Sequence, residues 1–276
     1  MIDRAIFFAR VRGAFGALTQ PQVDGFTTIL NVWQARYAAR TPLTQLAYVL
    51  ATAWHETAAK MQPIKEYGST DYFTRMYDVR GNRPGLARSM GNKEPGDGPR
   101  YCGRGFVQLT WRANYAKATD KLRDMGILSV FDSLVQTPDL AMRMDIAAAI
   151  LFEGMEDGWF TGRTMDALID AKVDGDEFAD FVKARSIING RDRDELIAGH
   201  ARKFLAALTA AEKPAGGPAP SPAPSPPQPP TSPPAPAAEP ARPVPVLPEP
   251  PPAAKPAPGW LATLASAVRV WLENRR

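Results

Sequence analysis

One cysteine, Cys102, and two histidines, His55 and His200, are all that 276 residues offer to thiol or imidazole chemistry. A lone cysteine excludes an intramolecular disulfide and any multi-cysteine metal site, so the fold does not depend on oxidation. His55-Glu56 opens a zinc-protease pattern, but the position that should close it is Ala59. Gly103-Arg104-Gly105 lacks a third phosphate-loop glycine, since Gln108 stands there. Residues 170–181 match a calcium loop only at Asp174 and Gly175. Neither a metal nor a cofactor is expected. Charge of one sign is scarce as well: the net is +4, with 28 Lys/Arg against 26 Asp/Glu over residues 1–213. That excess is too small to point to nucleic acid. No stretch approaches the ~18 apolar residues of a membrane-spanning helix. The first apolar run, residues 5–9, stops at Arg10, so no export signal is expected and the cytoplasm is the expected place of synthesis.

Proline is abundant but segregated. Of 28 prolines, 21 lie in residues 214–258, which divides the chain into a domain over 1–212, a Pro/Ala-rich disordered linker over 213–258 and a terminal segment over 259–276. The linker cannot build a core; in polyproline II form, at ~3.1 Å per residue, it reaches on the order of 140 Å. In the last segment Thr263, Ser266, Arg269 and Glu273 make a narrow polar stripe among Trp260, Leu264, Val268 and Trp271, an amphipathic helix suited to a membrane surface or a partner.

Periodicity in residues 1–212 is helical and no series of strands appears, so the domain is expected to be mainly α. A first helix is expected over 3–12, with Ile6, Phe7 and Val11 inward. Thr19-Gln20-Pro21-Gln22 is a capping box opening a helix to about Tyr37. Thr41-Pro42 and Thr137-Pro138 are expected to start helices in the same way, the second running to about Asp157. Further helices are expected over 163–171, 176–185 and 192–211. Residues 71–100, rich in Gly, Pro, Arg and Asn, read as a long loop, which in a compact domain is usually functional.

The chemistry lies in carboxylates. The helix over 43–56 is apolar on two faces and ends on Glu56, so that acid is expected on an apolar wall with a raised pKa. Glu66 follows beyond Pro63 in a polar stretch, where it is expected to stay ionised. Two acids in unlike settings suit hydrolysis of a glycosidic bond, with a carboxyl separation of roughly 6.5–9.5 Å for inversion and ~5 Å for retention. Asp71 and Asp78 are alternatives to Glu66.

Three runs, LATAWHET, GDGPRYCGRGFVQLTWRANY and SIINGRD, occur in that order, and with them residues 1–212 resemble glycoside hydrolase family 19, in particular its lysozyme-like branch of phage and prophage endolysins. The resemblance implies a two-lobed, lysozyme-like helical domain with a central cleft. It also implies cofactor-free, inverting cleavage of β-1,4 bonds beside N-acetylated amino sugars. By the same resemblance Glu56 is the general acid, Glu66 the matching second carboxylate, and Gln108, Thr110 and Asn114 cleft residues, with the Thr110 hydroxyl helping to hold the attacking water. Asn189 contacts substrate, and His55 and Tyr67 are further substrate-binding candidates. The implied partner is the glycan strand of peptidoglycan, met by a monomer after release through a holin-type opening. A chitinase of the same family, or a non-catalytic wall-binding or membrane-active protein on this scaffold, are the competing readings.

Overall fold

The computed structural model describes residues 1–213, so the expected linker and terminal helix lie outside the described residues, Lys213 apart. The elements are helical except for one two-stranded ribbon. Helix α1 (Arg4–Phe15) is capped by the Asp3 carboxylate, which accepts from the Ile6 amide. It buries Phe7, Phe8 and Val11, while Ile6, expected inside, is 42% exposed. Helix α2 (Gln20–Val32) opens on the expected Thr19/Gln22 capping box and passes into a π-helical turn, Trp33–Tyr37.

Helix α3 (Leu43–Glu56) is the centre of the molecule. Every residue from Leu46 to Ala53 is buried, because the later helices Met144–Glu156, Glu177–Ala184 and Asp194–Ala211 cover it. Its start differs from expectation. Thr41 does not cap it; its hydroxyl hydrogen-bonds Glu156 instead, and Pro42 occupies the cap position without a side-chain bond. Strand β1 (Ile64–Lys65) then pairs antiparallel with β2 (Arg104–Gly105), Ile64 opposite Gly105.

The stretch between the strands corrects the expectation of a long loop. It folds into α4 (Thr70–Tyr77), α5 (Pro84–Ser89) and α6 (Asp97–Arg100) around a second small core of Phe73, Tyr77, Ala87, Cys102 and Trp111. Short side chains satisfy its backbone in place of long helices. Asp78 accepts from the Gly96 and Gly98 amides at 2.7 and 3.2 Å, and Asp97 accepts from Lys93 and Glu94. Asn92 donates to the Tyr77 carbonyl and accepts from the Arg112 amide. Only α4, with Tyr72, Phe73, Met76 and Tyr77 on one side, carries a helical period; α5 and α6 are too short to show one.

Helix α7 (Arg112–Asp124) follows. The helix expected over 138–157 is two pieces, a 3-10 turn (Pro138–Met142) and α8 (Met144–Glu156), separated where Arg143 takes an extended backbone. The expected helix over 163–171 shrinks to one turn, α9 (Met165–Leu168); α10 (Glu177–Ala184), a 3-10 turn (Arg185–Ile187) and α11 (Asp194–Ala211) complete the domain. The main core gathers α1, α2, α3, α7, α8, α10 and α11. Residue 2 bridges Glu212, and Lys213 pairs with Asp3 at 2.9 Å, so both ends of the domain meet. The expectation of a mainly helical domain holds.

Candidate active site

Glu56 closes α3, but it does not face an apolar wall. Arg185, at the turn after α10, donates from Nη1 to Glu56 Oε1 at 2.6 Å, with side chains 3% and 9% exposed respectively. Arg185 also donates from Nε to the Asp192 carbonyl at 3.0 Å. Burial works against its charge, but the facing Glu56 carboxylate, together with Tyr48 and Asp192, raises its pKa on balance. A carboxylate this enclosed requires a counter-charge. Sequence reasoning missed Arg185, although its place directly before the SIING run was a usable signal. Asn189 joins the same cluster through the backbone: its amide donates to the Arg185 carbonyl, and its side-chain oxygen accepts from the Gly190 amide. His55 precedes Glu56, and burial lowers its pKa, so it is neutral in a neutral solution.

Glu66 follows β1 directly. Its amide donates to the Gly103 carbonyl at 2.8 Å, and its Oε2 accepts from the Gly103 amide at 3.0 Å. Oε1 accepts from the Tyr77 hydroxyl at 2.8 Å. Burial raises its pKa; the Gly103 amide and the Tyr77 and Tyr72 hydroxyls act in the opposite direction. This corrects the polar setting expected for Glu66: the 70–100 lobe covers it, and burial penalises its ionised form. Among the described residues Glu66 makes no ion pair.

Gln108 comes to the same place. A Cβ on Gly103 would lie 2.7 Å from Gln108 Oε1 and 3.2 Å from Glu66 Oε2, so both side chains converge on this glycine, which must have no side chain. Gln108 Nε2 donates to the carbonyls of Ile64 and Gly105, while its buried Oε1 has no partner. Gln108 and Trp111 both have positive φ, 55° and 76°. Such backbone strain in bulky residues concentrates at functional sites. The Thr110 hydroxyl donates to the Gln108 carbonyl at 2.7 Å, and Asn114 Nδ2 donates to the Thr110 carbonyl at 2.9 Å. These bonds give Thr110 and Asn114 a role in holding the turn. Tyr67 is 40% exposed and its hydroxyl accepts from Lys60 at 3.0 Å.

The alternative carboxylates separate cleanly. Asp78 is committed to backbone amides and to Arg80, which lower its pKa in spite of burial. Asp71 sits exposed in the first turn of α4. Trp54, Trp111 and Tyr115 are packed into the structure: Trp54 stacks with Phe26 and lies tilted against Phe15, Trp111 meets Tyr77 edge-on at 5.0 Å, and Tyr115 donates to the Cys102 carbonyl. Among the described residues no cluster of His, Cys, Asp or Glu could hold a metal.

No protein-family model matches the chain, nor does any curated protein. Among solved structures it is similar to chitinase C from Streptomyces griseus, with a TM-score of 0.45 at 18% identity over 76% of each chain. A mutant of chitinase C gives 0.44 at 19% identity, again over 76% of each. A likeness this weak assigns no family.

Proposed function

We propose that the chain is a glycoside hydrolase that cleaves β-1,4 bonds of peptidoglycan by acid/base catalysis with inversion, as an endolysin-type muramidase does. The observation that carries this is the convergence of Glu66 and Gln108 on Gly103, in a turn whose backbone is strained at Gln108 and Trp111. Glu56, the second carboxyl, stands at the other end of the connection over 57–65. In this reading Glu56 delivers a proton to the glycosidic oxygen while Arg185 holds its Oε1. Glu66 takes a proton from water, and burial makes it a stronger base by moving its pKa toward the working pH. The Thr110 hydroxyl, donating to Gln108, keeps lone pairs for a water hydrogen, and Gln108 Oε1 is a second acceptor. Membrane contact through residues 259–276 and access to the wall from the cytoplasm belong to the same proposal, and rest on the amphipathic pattern of that segment and on the likeness to endolysins.

The Glu56–Arg185 pair favours one second reading of the roles, in which the cation-free Glu66 is the acid and Glu56 the base. An aryl chitooligosaccharide with a good leaving group separates the two, because its cleavage needs no acid. Glu56→Gln is expected to abolish wall hydrolysis yet keep part of the aryl glycoside activity, while Glu66→Gln loses both. The opposite pattern reverses the roles, and full wall activity in both variants overturns the proposal. The substrate is read from the new reducing ends formed on peptidoglycan and on chitin oligomers. N-acetylmuramic acid ends support the muramidase; cleavage of chitin alone makes the protein a chitinase; binding without cleavage makes it a wall-binding scaffold.

A further inference from the structure

The Tyr77 hydroxyl has a feature that packing alone does not require. Tyr77 is 2% exposed in the small-lobe core, between Trp111, edge-on at 5.0 Å, and Phe73, stacked at 6.4 Å. A phenylalanine fills that volume equally well. A hydroxyl buried there costs free energy unless it has a partner, and its partner is Glu66 Oε1 at 2.8 Å. The ring cannot easily swing away, because Phe73 and Trp111 pack against it in the buried small core, and Asn92 Nδ2 anchors the backbone beneath it by donating to the Tyr77 carbonyl at 2.9 Å.

We propose that Tyr77 is a positioning residue for Glu66: the small lobe aims one hydroxyl at the carboxyl, and with the Gly103 amide it fixes the plane in which Glu66 meets water. The inference deepens the hydrolase reading and rests on it. Two contacts set two oxygens, Oε1 from α4 and Oε2 from the β2 approach, so the carboxyl cannot rotate without losing both. The charged and titratable groups around Glu66 are few. Tyr72 and Tyr77 face it from α4, Cys102 from the strand approach, and Lys65 precedes it on β1. Burial and the nearby Glu66 carboxyl raise the Tyr77 pKa well above the usual range, so the phenol keeps the proton it donates. A donated hydrogen bond favours the ionised carboxylate and so offsets part of the rise that burial imposes on Glu66.

Tyr77→Phe in the full chain tests this. The expected result on peptidoglycan is a kcat about ten- to a hundredfold lower, the effect of one hydrogen bond to a charged group, with KM unchanged. The limb of the profile where activity is lost on acidification moves to higher pH. A titration of the Glu66 carboxyl by 13C NMR, assigned with Glu66→Gln, reads the same shift without any need for hydrolysis. 3-Fluorotyrosine at position 77, which keeps the ring shape and donates more strongly, should move the titration the opposite way, and it serves if the phenylalanine variant does not fold. Titrations that move as expected in a protein that cleaves no glycan leave Tyr77 in place and overturn the hydrolase reading. An unchanged Glu66 titration in an active enzyme, with only a lowered Tm, overturns the positioning role.

Discussion

At Glu56 the decisive neighbour is 129 positions away in sequence. Arg185 and Glu56 are both nearly enclosed, so neither charge can be hydrated once the other is gone. Arg185→Met is therefore expected to cost about 3–5 kcal/mol, because it leaves a buried carboxylate unpaired. Replacing both, as Glu56→Leu with Arg185→Met, should recover most of that loss, since two apolar side chains need no counter-charge. Denaturant midpoints of the two variants and the parent check this; a double variant no more stable than Arg185→Met alone contradicts it. Glu66 is a different kind of acid, held by an amide and hydroxyls instead of a cation. Its own local sequence, beyond a proline and among polar residues, conveys none of this, because the cover comes from the 70–100 lobe.

At the scale of elements, the connection between the two carboxyls is the unusual piece. Ala58, Ala59 and Met61 all have positive φ, from 50° to 62°, and none is glycine. Tertiary contacts hold them there: Gln22 Nε2 on α2 donates to the Ala59 carbonyl at 2.9 Å, and the Met61 amide donates to the Thr57 hydroxyl. Helix α2 presses on this turn at Gly25, where an added Cβ would lie 1.8 Å from the Met61 carbonyl oxygen. Gly25→Ala gains helix propensity but must push the turn aside. The clash dominates, and a loss of at least about 1–3 kcal/mol is expected. Thermal unfolding reads it, and an unchanged or higher Tm would show that the turn yields freely. Displacement of the turn should also lower activity, because residues 57–65 link Glu56 to Glu66.

For the molecule as a whole, two cores of unequal size share the run over 101–111, with Tyr101 and Leu109 in the larger and Cys102 and Trp111 in the smaller, and Glu66 follows directly on the strand that pairs with it. Its burial links folding to pH. The folded-state pKa of Glu66 lies above the ordinary value of 4.5, so the fold favours the protonated form. That contribution is fully present below the ordinary value and is lost as pH rises through the shifted one. Tm measured across this window should therefore contain a decline that Glu66→Gln removes from the slope, whatever the variant's absolute stability. An identical slope in parent and variant contradicts the assignment. Asp78 shifts the other way and adds stability that is lost only at lower pH, so the two effects occupy separate windows.

Sequence alone determined the helical character of the domain, the capping box at Thr19, and the enclosed α3 with its terminal Glu56. These are legible because helix period, caps and apolar faces are set by residues within a few positions of one another. Tertiary structure alone decided what each acid faces. Arg185 reaches Glu56 from a turn 129 positions later, and a lobe built from short helices and side-chain clamps buries Glu66 beneath Tyr77. The environment of a carboxyl is a sum over neighbours at every sequence distance, so contrasting surroundings could be expected from the sequence, but which acid received the cation and which the hydroxyl could not.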